Sequence, residues 1–351
     1  MNTKLDEDVA YKPRQQWQSS DDELEPHMKF FRHGCAAVAI DEHRVLVMGG
    51  MGAEYRGGGG IPTSDILRST EVYDRRTRQW TRAPDNIQPR WYHQAVMCQG
   101  KVYTCGGSSK RDDTIEYLDV SSEDIHSPAT KGWQLLSDRQ ESLCSSFLSW
   151  IFPPAPTSPL RLPKDVSFHA LASVGRFLYI LGSSFDSKVG SKMHTIVVDV
   201  KSKEMVHGPP LLIYRHGFHA TTIGNTIWVV GGRRGKSSEL DAHKNEYFEI
   251  SDPESIDISW HTSPDCPGWK FSPATLEIGR NTPAVTSLGQ SLVVAGAIIP
   301  KKICRKRKRE GRDLPLIQER LVQLRFMILN PKCGNVYLTW YHIDGEQALL
   351  H

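Results

Sequence analysis

The sequence lacks the features that identify membrane-spanning or secreted proteins. No run approaches the roughly 18 apolar residues that a membrane-spanning helix needs. The first residues, MNTKLDEDVAYKPRQQW, carry acids where a secretory signal carries an apolar stretch. The seven cysteines are odd in number and show no paired spacing, which does not predict a disulfide framework. We therefore expect an intracellular protein without membrane contact.

Catalytic and metal-binding patterns are also scarce. The chain has no Gly-x-Ser-x-Gly nucleophile motif, and its histidines do not show the helical spacing of metal ligands. Five histidines instead recur near the period of the repeats described below, which favours a shared structural role: His33, His93, His169, His216 and His219. We therefore expect neither a cofactor nor a metal ion.

What the sequence does contain is a repeated unit. Each of five units has an apolar strand, a polar turn, a very apolar strand ending in small residues, and a third, looser strand. The second strands read VLVM, VYTC, LYIL, IWVV and LVVA, and such continuous apolar runs are typical of strands covered on both faces. Helical periodicity is nearly absent. Four-stranded units that cannot bury their faces alone must stack, which predicts an all-β propeller.

Small and aromatic residues mark corresponding positions in the units. Glycine after the second strand permits a positive φ, and a closing tryptophan offers a large surface and an indole N–H to a neighbouring sheet. The predicted structural positions are Gly49, Gly50, Gly106, Gly107, Gly182, Gly231, Gly232, Gly296, Trp80, Trp133, Trp260 and Trp340. Unit three is degenerate, because it has Met205 where the others have tryptophan.

This order of apolar strand, Gly-Gly, tyrosine-bearing strand and tryptophan resembles the kelch repeat, over about residues 30–343. The resemblance implies a kelch-type β-propeller with five legible four-stranded repeats. A sixth, degenerate blade is an alternative, since kelch propellers usually have six or seven. The paired small residues are spaced by 57, 76, 49 and 65 positions. Because the kelch repeat is nearer 50 residues, we expect long insertions.

The predicted domain organisation is one propeller with short extensions. Residues 1–26 form an acidic N-terminal arm, residues 27–345 form the propeller and residues 346–351 form a C-terminal tail. The arm is a candidate for a strand that closes the ring on the last blade, and Trp340 competes for that place.

Two insertions interrupt the predicted propeller, at 134–165 and 298–319. The first has five prolines between Pro153 and Pro163, which predict an extended, exposed loop. The second contains the basic segment 301–312, whose local charge of +7 leaves −4 for the rest of a chain of net charge +3. An acidic body argues against nucleic-acid binding. The segment is a candidate nuclear import signal, a phosphate contact or a solvated loop. The import signal would consist of Lys301, Lys302, Arg305, Lys306, Arg307, Lys308 and Arg309.

Four arginines come before the first strand of their units in the same phase. Arg90, Arg215 and Arg280 precede the first paired small residue by 16 positions and Arg32 by 17, whereas unit three has valine at 166. In kelch propellers this place resembles the rim of the central channel, and guanidinium groups suit carboxylates and phosphates. The four are predicted to bind an acidic or phosphorylated partner segment. Alternatively, they tie blade to blade through backbone carbonyls.

The predicted function is a protein–protein interaction module, a monomeric kelch propeller in the cytoplasm, with the nucleus as an alternative. The competing hypothesis is an enzyme on the same scaffold that acts on a small sugar or metabolite in the central channel. An enzyme needs an enclosed pocket with converging acid–base groups. The scarcity of catalytic motifs favours the interaction module.

Overall fold

A computed structural model of the protein describes most of the repeat region. The described residues are 28–54, 65–107, 113–121, 131–137, 158–163, 166–186, 190–233, 244–273, 276, 283–288, 290–295, 324–329, 336–344 and 347–350. The N-terminal arm, the basic segment 301–312, Arg280 and Gly296 lie outside them.

The described residues form β-strands and one short 3-10 helix, Ile258–Thr262. In chain order the strands are β1 (Phe30–His33), β2 (Ala36–Ala39), β3 (Arg44–Met48), β4 (Met51–Glu54), β5 (Asp65–Ile66), β6 (Thr70–Asp74), β7 (Gln79–Ala83), β8 (Gln94–Cys98), β9 (Lys101–Cys105), β10 (Ile115–Asp119), β11 (Gln134–Leu135), β12 (Ser167–Val174), β13 (Phe177–Asp186), β14 (Gly190–Asp199), β15 (Met205–Gly208), β16 (His216–Ile223), β17 (Thr226–Arg233), β18 (Glu246–Glu249), β19 (Lys270–Phe271), β20 (Ala284–Leu288), β21 (Ser291–Ala295), β22 (Leu324–Leu329), β23 (Val336–Asp344) and β24 (Gln347–Leu350).

These strands pair into five antiparallel blades in chain order. Blade 1 is β2-β3-β6-β7, blade 2 is β8-β9-β10-β11, blade 3 is β12-β13-β14-β15, blade 4 is β16-β17-β18-β19 and blade 5 is β20-β21-β22-β23-β24. Strands β1, β4 and β5 form a smaller sheet. The first strand of each blade contacts the first strand of the next, from β2 through β8, β12 and β16 to β20. The predicted all-β, kelch-type propeller is confirmed.

The core lies between neighbouring blades, and β13 shows why its sequence is apolar at every position. Leu178 and Ile180 pack on the side of blade 2. Phe177, Tyr179 and Leu181 point the other way and pack on the side of blade 4. A strand whose alternate side chains reach two different neighbours must be apolar on both faces.

The paired glycines are required where the chain turns away from the second strand. Gly50 and Gly107 have φ of 92° and 105°. A Cβ atom on Gly50 would lie 2.9 Å from the carbonyl oxygen of His33, and one on Gly107 would lie 2.8 Å from that of Trp91. Gly182 differs, because its φ is not positive and β13 continues through it to Asp186. Its assignment as an exit glycine is therefore wrong.

Two tryptophans close their blades in the same way. Trp133 precedes β11, and its indole Nε1 donates to the carbonyl of Pro84 at 2.9 Å, at the end of blade 1. Trp269 precedes β19 and donates to the carbonyl of Pro209 at 2.9 Å, at the end of blade 3. The choice of Trp260 for blade 4 was wrong, since Trp260 lies in the 3-10 helix and is only partly buried. Trp80 stacks on Tyr73 with centroids 5.1 Å apart and is half-buried.

Strand register identifies the closing position in the other two blades. Met205 lies opposite Val198 in blade 3, which matches the predicted substitution for tryptophan. In blade 5 the corresponding residue is Val336, opposite Leu329, whereas Trp340 lies opposite Arg325. Trp340 is therefore not at the closing position.

The ends of the predicted domains also change. Residues 347–350, assigned to a tail, form β24 and pair with β23. The fourth strand of blade 5 is β23. Residues 336–344 therefore occupy the position for which the N-terminal arm was also a candidate. Whether the N-terminal arm adds a strand stays a prediction.

The proline-bearing insertion begins and ends within blade 2. Residues 134–135 form β11, so the insertion starts later than predicted. Its last part runs extended beside the blade, where the Leu162 N–H donates to the carbonyl of Asp113 at 2.7 Å. Leu162 is buried in the core between blades 2 and 3, which corrects the prediction of a wholly exposed loop.

Replacing Trp133 by alanine is expected to lower the free energy of unfolding by about 3–5 kcal/mol, because it empties a buried site between two blades. Trp133→Phe keeps most of the packing but leaves the Pro84 carbonyl without its donor, which is expected to cost about 1–2 kcal/mol. Trp80→Ala serves as the half-buried control and should cost less than Trp133→Ala. Urea unfolding measures all three, and equal costs for the two alanine variants would contradict the role assigned to Trp133.

Candidate functional site

Three of the in-phase arginines form buried ion pairs with glutamates of the third strand of their blades. The pairs are Arg32–Glu71, Arg90–Glu116 and Arg215–Glu246, and in each pair both side chains are at most 3% exposed. The N···O distance is 2.9 Å in the second and third pairs.

Each guanidinium also donates to two carbonyls of its own blade. In blade 2, Arg90 Nη1 donates to the carbonyl of Gly106 at 2.9 Å and Nη2 to that of Thr114 at 3.1 Å. In blade 4, Arg215 Nη1 donates to the carbonyls of Gly231 and Lys244, both at 2.8 Å. The arginine thus links the end of the second strand to the start of the third. Its guanidinium can do so because it presents several N–H donors in a fixed, forked geometry.

Each glutamate in turn holds the chain that leads into its blade. Glu116 accepts hydrogen bonds from the N–H groups of Ile87 and Gln88, three and two residues before the arginine. The same two positions donate to Glu71 (Lys29 and Phe30) and to Glu246 (Leu212 and Ile213). Burial raises the pKa of the Glu246 carboxyl, and the Arg215 charge and these N–H groups oppose that effect.

The prediction that these arginines bind a partner is therefore wrong for the three that the structure describes. Arg32, Arg90 and Arg215 are buried and neutralised, so their guanidinium groups are closed to an external carboxylate or phosphate. The alternative of a blade-to-blade tie is also not what their side chains do, since they bond within one blade. The backbone does join blades, because Gly50 N–H donates to the Arg90 carbonyl at 2.7 Å. Arg280 lies outside the described residues, so its role in binding a partner stays a prediction.

Blade 3 has neither the arginine nor the glutamate of this ion pair. Valine stands at 166 in place of arginine, and strand register puts Ile196 where the other blades have glutamate. Pro163 stands three residues before Val166 and has no N–H to be held. Val166 and Ile196 are both buried. Apolar residues thus replace the charges together, which avoids an uncompensated buried charge.

The exposed apolar residues lie at one end of the blades. We call this end the loop face: there each first strand begins, each second strand ends and the links between blades arrive. Among the described residues, the exposed large apolar side chains are Tyr92, Leu212 and Phe271, which are 52%, 51% and 48% exposed. All three lie on the loop face.

A groove on the loop face separates blades 3 and 4. Its volume is about 350 Å³, and its walls include Ser191, Met193, Leu212, Tyr214, Lys244 and Phe271. Lys244 Nζ lies 5.6 Å from the centroid of the Phe271 ring. Among the residues that the structure describes, neither a carboxylate nor an imidazole lines the groove. This composition suits binding of an apolar segment better than acid–base chemistry.

Comparison with known proteins agrees with this architecture. Residues 32–86 match the family described as Kelch motif. Alpha-scruin of Limulus polyphemus is 23% identical over 271 residues, covering 75% of this chain and 24% of that protein. Kelch-like protein 38 of Rattus norvegicus is 21% identical over 271 residues, covering 72% and 44% respectively. Residues 32–86 thus carry a Kelch motif, and the chain resembles kelch-repeat proteins. It covers less than half the length of these relatives.

A shorter match has a higher identity. Kelch-like protein 7 of Rattus norvegicus is 34% identical over 71 residues, which is 20% of this chain and 12% of that protein.

The other candidate residues of this chain have structural roles or lie outside the described ranges. The basic segment 301–312 is in the second group. Cys98 and Cys105 are buried free thiols, and burial raises the pKa of Cys98 to about 12. Within the described ranges, no three His, Cys, Asp or Glu side chains come together as a metal site would require. The part of the chain that the structure describes has no helix long and apolar enough to cross a membrane.

His93 is buried between Gly49 of blade 1 and Gly107 of blade 2. It is 4% exposed, and neither ring nitrogen has a hydrogen-bond partner in the described part of the chain. A Cβ atom on Gly49 would lie 2.6 Å from His93 Cε1, so glycine there leaves room for the ring. Burial, together with the charges of Arg90 and Arg32, lowers the pKa of His93 to about 3.

Sequence reasoning found the arginines but missed their glutamates and the groove. The signal for the glutamates was present, because Glu71, Glu116 and Glu246 each begin the third-strand core (EVYD, EYLD and EYFE) opposite the second residue before the small pair. The groove has no such signal, since its walls come from separate segments of two blades.

Replacing Arg90 by valine is expected to lower the free energy of unfolding by about 3–5 kcal/mol, because Glu116 is left buried without its counter-charge. The double variant Arg90→Val/Glu116→Ile copies blade 3 and should cost less than the two single variants together, by about 1–3 kcal/mol. Arg82→Val breaks the exposed pair with Asp85 and is the matched control, with an expected cost below about 1 kcal/mol. Additive costs in urea unfolding would contradict a coupled buried pair.

Acid is expected to destabilise the fold through His93. The pKa of the imidazole is about 3 in the folded chain and about 6.5 in the unfolded chain, so between these values the unfolded chain binds the extra proton. The contribution is complete above about pH 6.5 and is lost as the pH falls, by about 1.4 kcal/mol per pH unit. Unfolding free energies of wild type and His93→Leu should therefore converge, or cross, as the pH falls. Parallel pH profiles would rule out this role.

Proposed function

We propose that this protein is an interaction module that binds a segment of a partner protein in the groove between blades 3 and 4. The observation that carries the proposal is the pairing of Leu212 and Phe271, two exposed apolar side chains on the walls of one groove. Exposed apolar groups that converge on a concave surface gain free energy when a partner covers them.

The groove is held in shape from below. The N–H groups of Leu212 and Ile213 donate to the Glu246 carboxylate at 2.6 and 3.3 Å, and Arg215 holds that carboxylate. The link that carries Leu212 is therefore fixed by buried charge rather than free to rearrange. A preformed surface loses less conformational entropy on binding than a mobile loop does.

The partner is proposed to be a segment with an apolar anchor and an acidic or phosphorylated neighbour. Lys244 supplies positive charge at the groove, beside Phe271. In the sequence, the basic segment 301–312 lies between β21 and β22 and adds eight basic residues. Arg32, Arg90 and Arg215 are buried and therefore do not support an acidic partner. This part of the proposal depends on Lys244 and the basic segment instead.

The same proposal makes the protein an intracellular monomer, with 301–309 as a nuclear import signal. The described cysteines, which form no disulfide, support an intracellular location, and the run of bases in the sequence supports the import signal. No observation of the groove favours the enzyme hypothesis.

Affinity capture with the purified full chain tests the groove. Leu212→Asp/Phe271→Asp places two charges on its apolar walls and should weaken capture of the partner at least about tenfold. Lys201→Asp is the matched control, an exposed charge change in the turn between β14 and β15, at the opposite end of blade 3. Partners retained by the control and lost by the groove variant support the proposal. Equal capture by all three proteins, at unchanged melting temperature, would contradict it.

A further inference from the structure

A second exposed surface lies on the loop face, where blade 2 begins. Trp91 and Tyr92 come directly before β8, and their ring centroids are 4.6 Å apart with an interplanar angle of 37°. Tyr92 is 52% exposed and Trp91 is partly buried. The two rings form a tilted aromatic pair, separate from the groove between blades 3 and 4.

The backbone holds this aromatic pair in an uncommon conformation. Tyr92 has a φ of 54°, which is a rare value for a bulky residue. Its N–H donates to the carbonyl of Gly34 at 2.7 Å, and its ring packs so closely on Gly34 that an added Cβ would lie 3.2 Å from two ring carbons. Such strain costs about 1–3 kcal/mol and persists where surrounding contacts fix it, commonly at binding sites. Here it turns an aromatic ring toward solvent.

The aromatic pair offers ring faces and hydrogen-bond donors but no charge. Among the described residues, neither the Trp91 indole N–H nor the Tyr92 hydroxyl has a hydrogen-bond partner in the protein. The arginines that precede this region and blade 1 are Arg90 and Arg32, and both are buried in ion pairs. A matching ligand therefore presents apolar rings and uncharged acceptors.

We propose that Trp91 and Tyr92 bind a proline-rich segment of a partner protein in the polyproline II conformation. Pyrrolidine rings are apolar and stack on aromatic faces, and the extended helix has no internal hydrogen bonds, so its carbonyls are free to accept. Aromatic-lined surfaces recognise such segments with little entropy cost, because the conformation exists before binding.

A sugar is the other ligand that stacks on aromatic rings. Sugar hydroxyls require several converging polar groups besides the ring, and small-molecule sites supply them. The aromatic pair itself supplies two donors, and Glu71 and Glu116 offer no carboxylate to a ligand because they are buried with their arginines. The composition therefore favours a proline-rich segment.

Titration of the full chain with decaproline tests this inference. The nine tryptophans are labelled with 15N, and the indole signal that is missing in Trp91→Phe identifies Trp91. We expect this signal to shift saturably with decaproline at up to millimolar concentration. Tyr92→Gly removes the second ring while glycine accepts the positive φ, so the fold is kept and binding should weaken roughly tenfold.

Phe271→Ser removes an exposed aromatic ring from the groove and should leave decaproline binding unchanged, so the two surfaces can fail independently. The inference is overturned if the Trp91 signal does not move, if Tyr92→Gly binds as well as wild type, or if a neutral oligosaccharide shifts the signal and decaproline does not.

Discussion

Blades 1, 2 and 4 share one buried interaction, the pairing of an arginine before the first strand with a glutamate in the third. Arg90 bonds to the carbonyls of Gly106 and Thr114, and Glu116 bonds to the N–H groups of Ile87 and Gln88. One pair thus connects the incoming link with the end of the second strand and the start of the third. Two charges taken from water are tolerated because almost every donor and acceptor around them is used.

This interaction also organises the surfaces proposed to bind partners. The glutamate fixes the link at the third and second residues before the arginine, and exposed side chains lie on or just beyond that link. Leu212 is bonded directly through its N–H to Glu246, and Tyr92 follows Arg90 by two positions. The buried charges themselves are inaccessible, but they fix the backbone that carries the neighbouring exposed apolar side chains. Stability and recognition therefore share the same few residues.

The fold was predictable to the extent that it repeats. The consecutive apolar residues of the second strands predicted sheets covered on both faces, and Met205 was correctly placed at the closing position of blade 3. Predictions failed where one sequence signal has two physical causes. Arginines in the same phase are expected both at a binding rim and in buried ion pairs. A glutamate at the matching position of the third strand, such as Glu116, distinguishes the buried pair from the rim. Trp260 and Trp269 are nine residues apart, and pairing of Lys270 with Tyr247 decides between them. The groove depends on contacts between blades, which no local pattern encodes.

The loss of the ion pair in blade 3 has a consequence for how the chain can change length. Where a carboxylate holds the link at two fixed positions, inserting or deleting residues next to it would misplace those donors and strand a buried charge. No such constraint applies at Val166, because Val166 and Ile196 carry no charge and Pro163 has no N–H to donate. Residues 136–166 lie between β11 and β12 at this junction, and the small pairs on either side of it, at 106 and 182, are 76 positions apart. Among the described blades, this junction is where the ring accommodates extra chain at the lowest energetic cost.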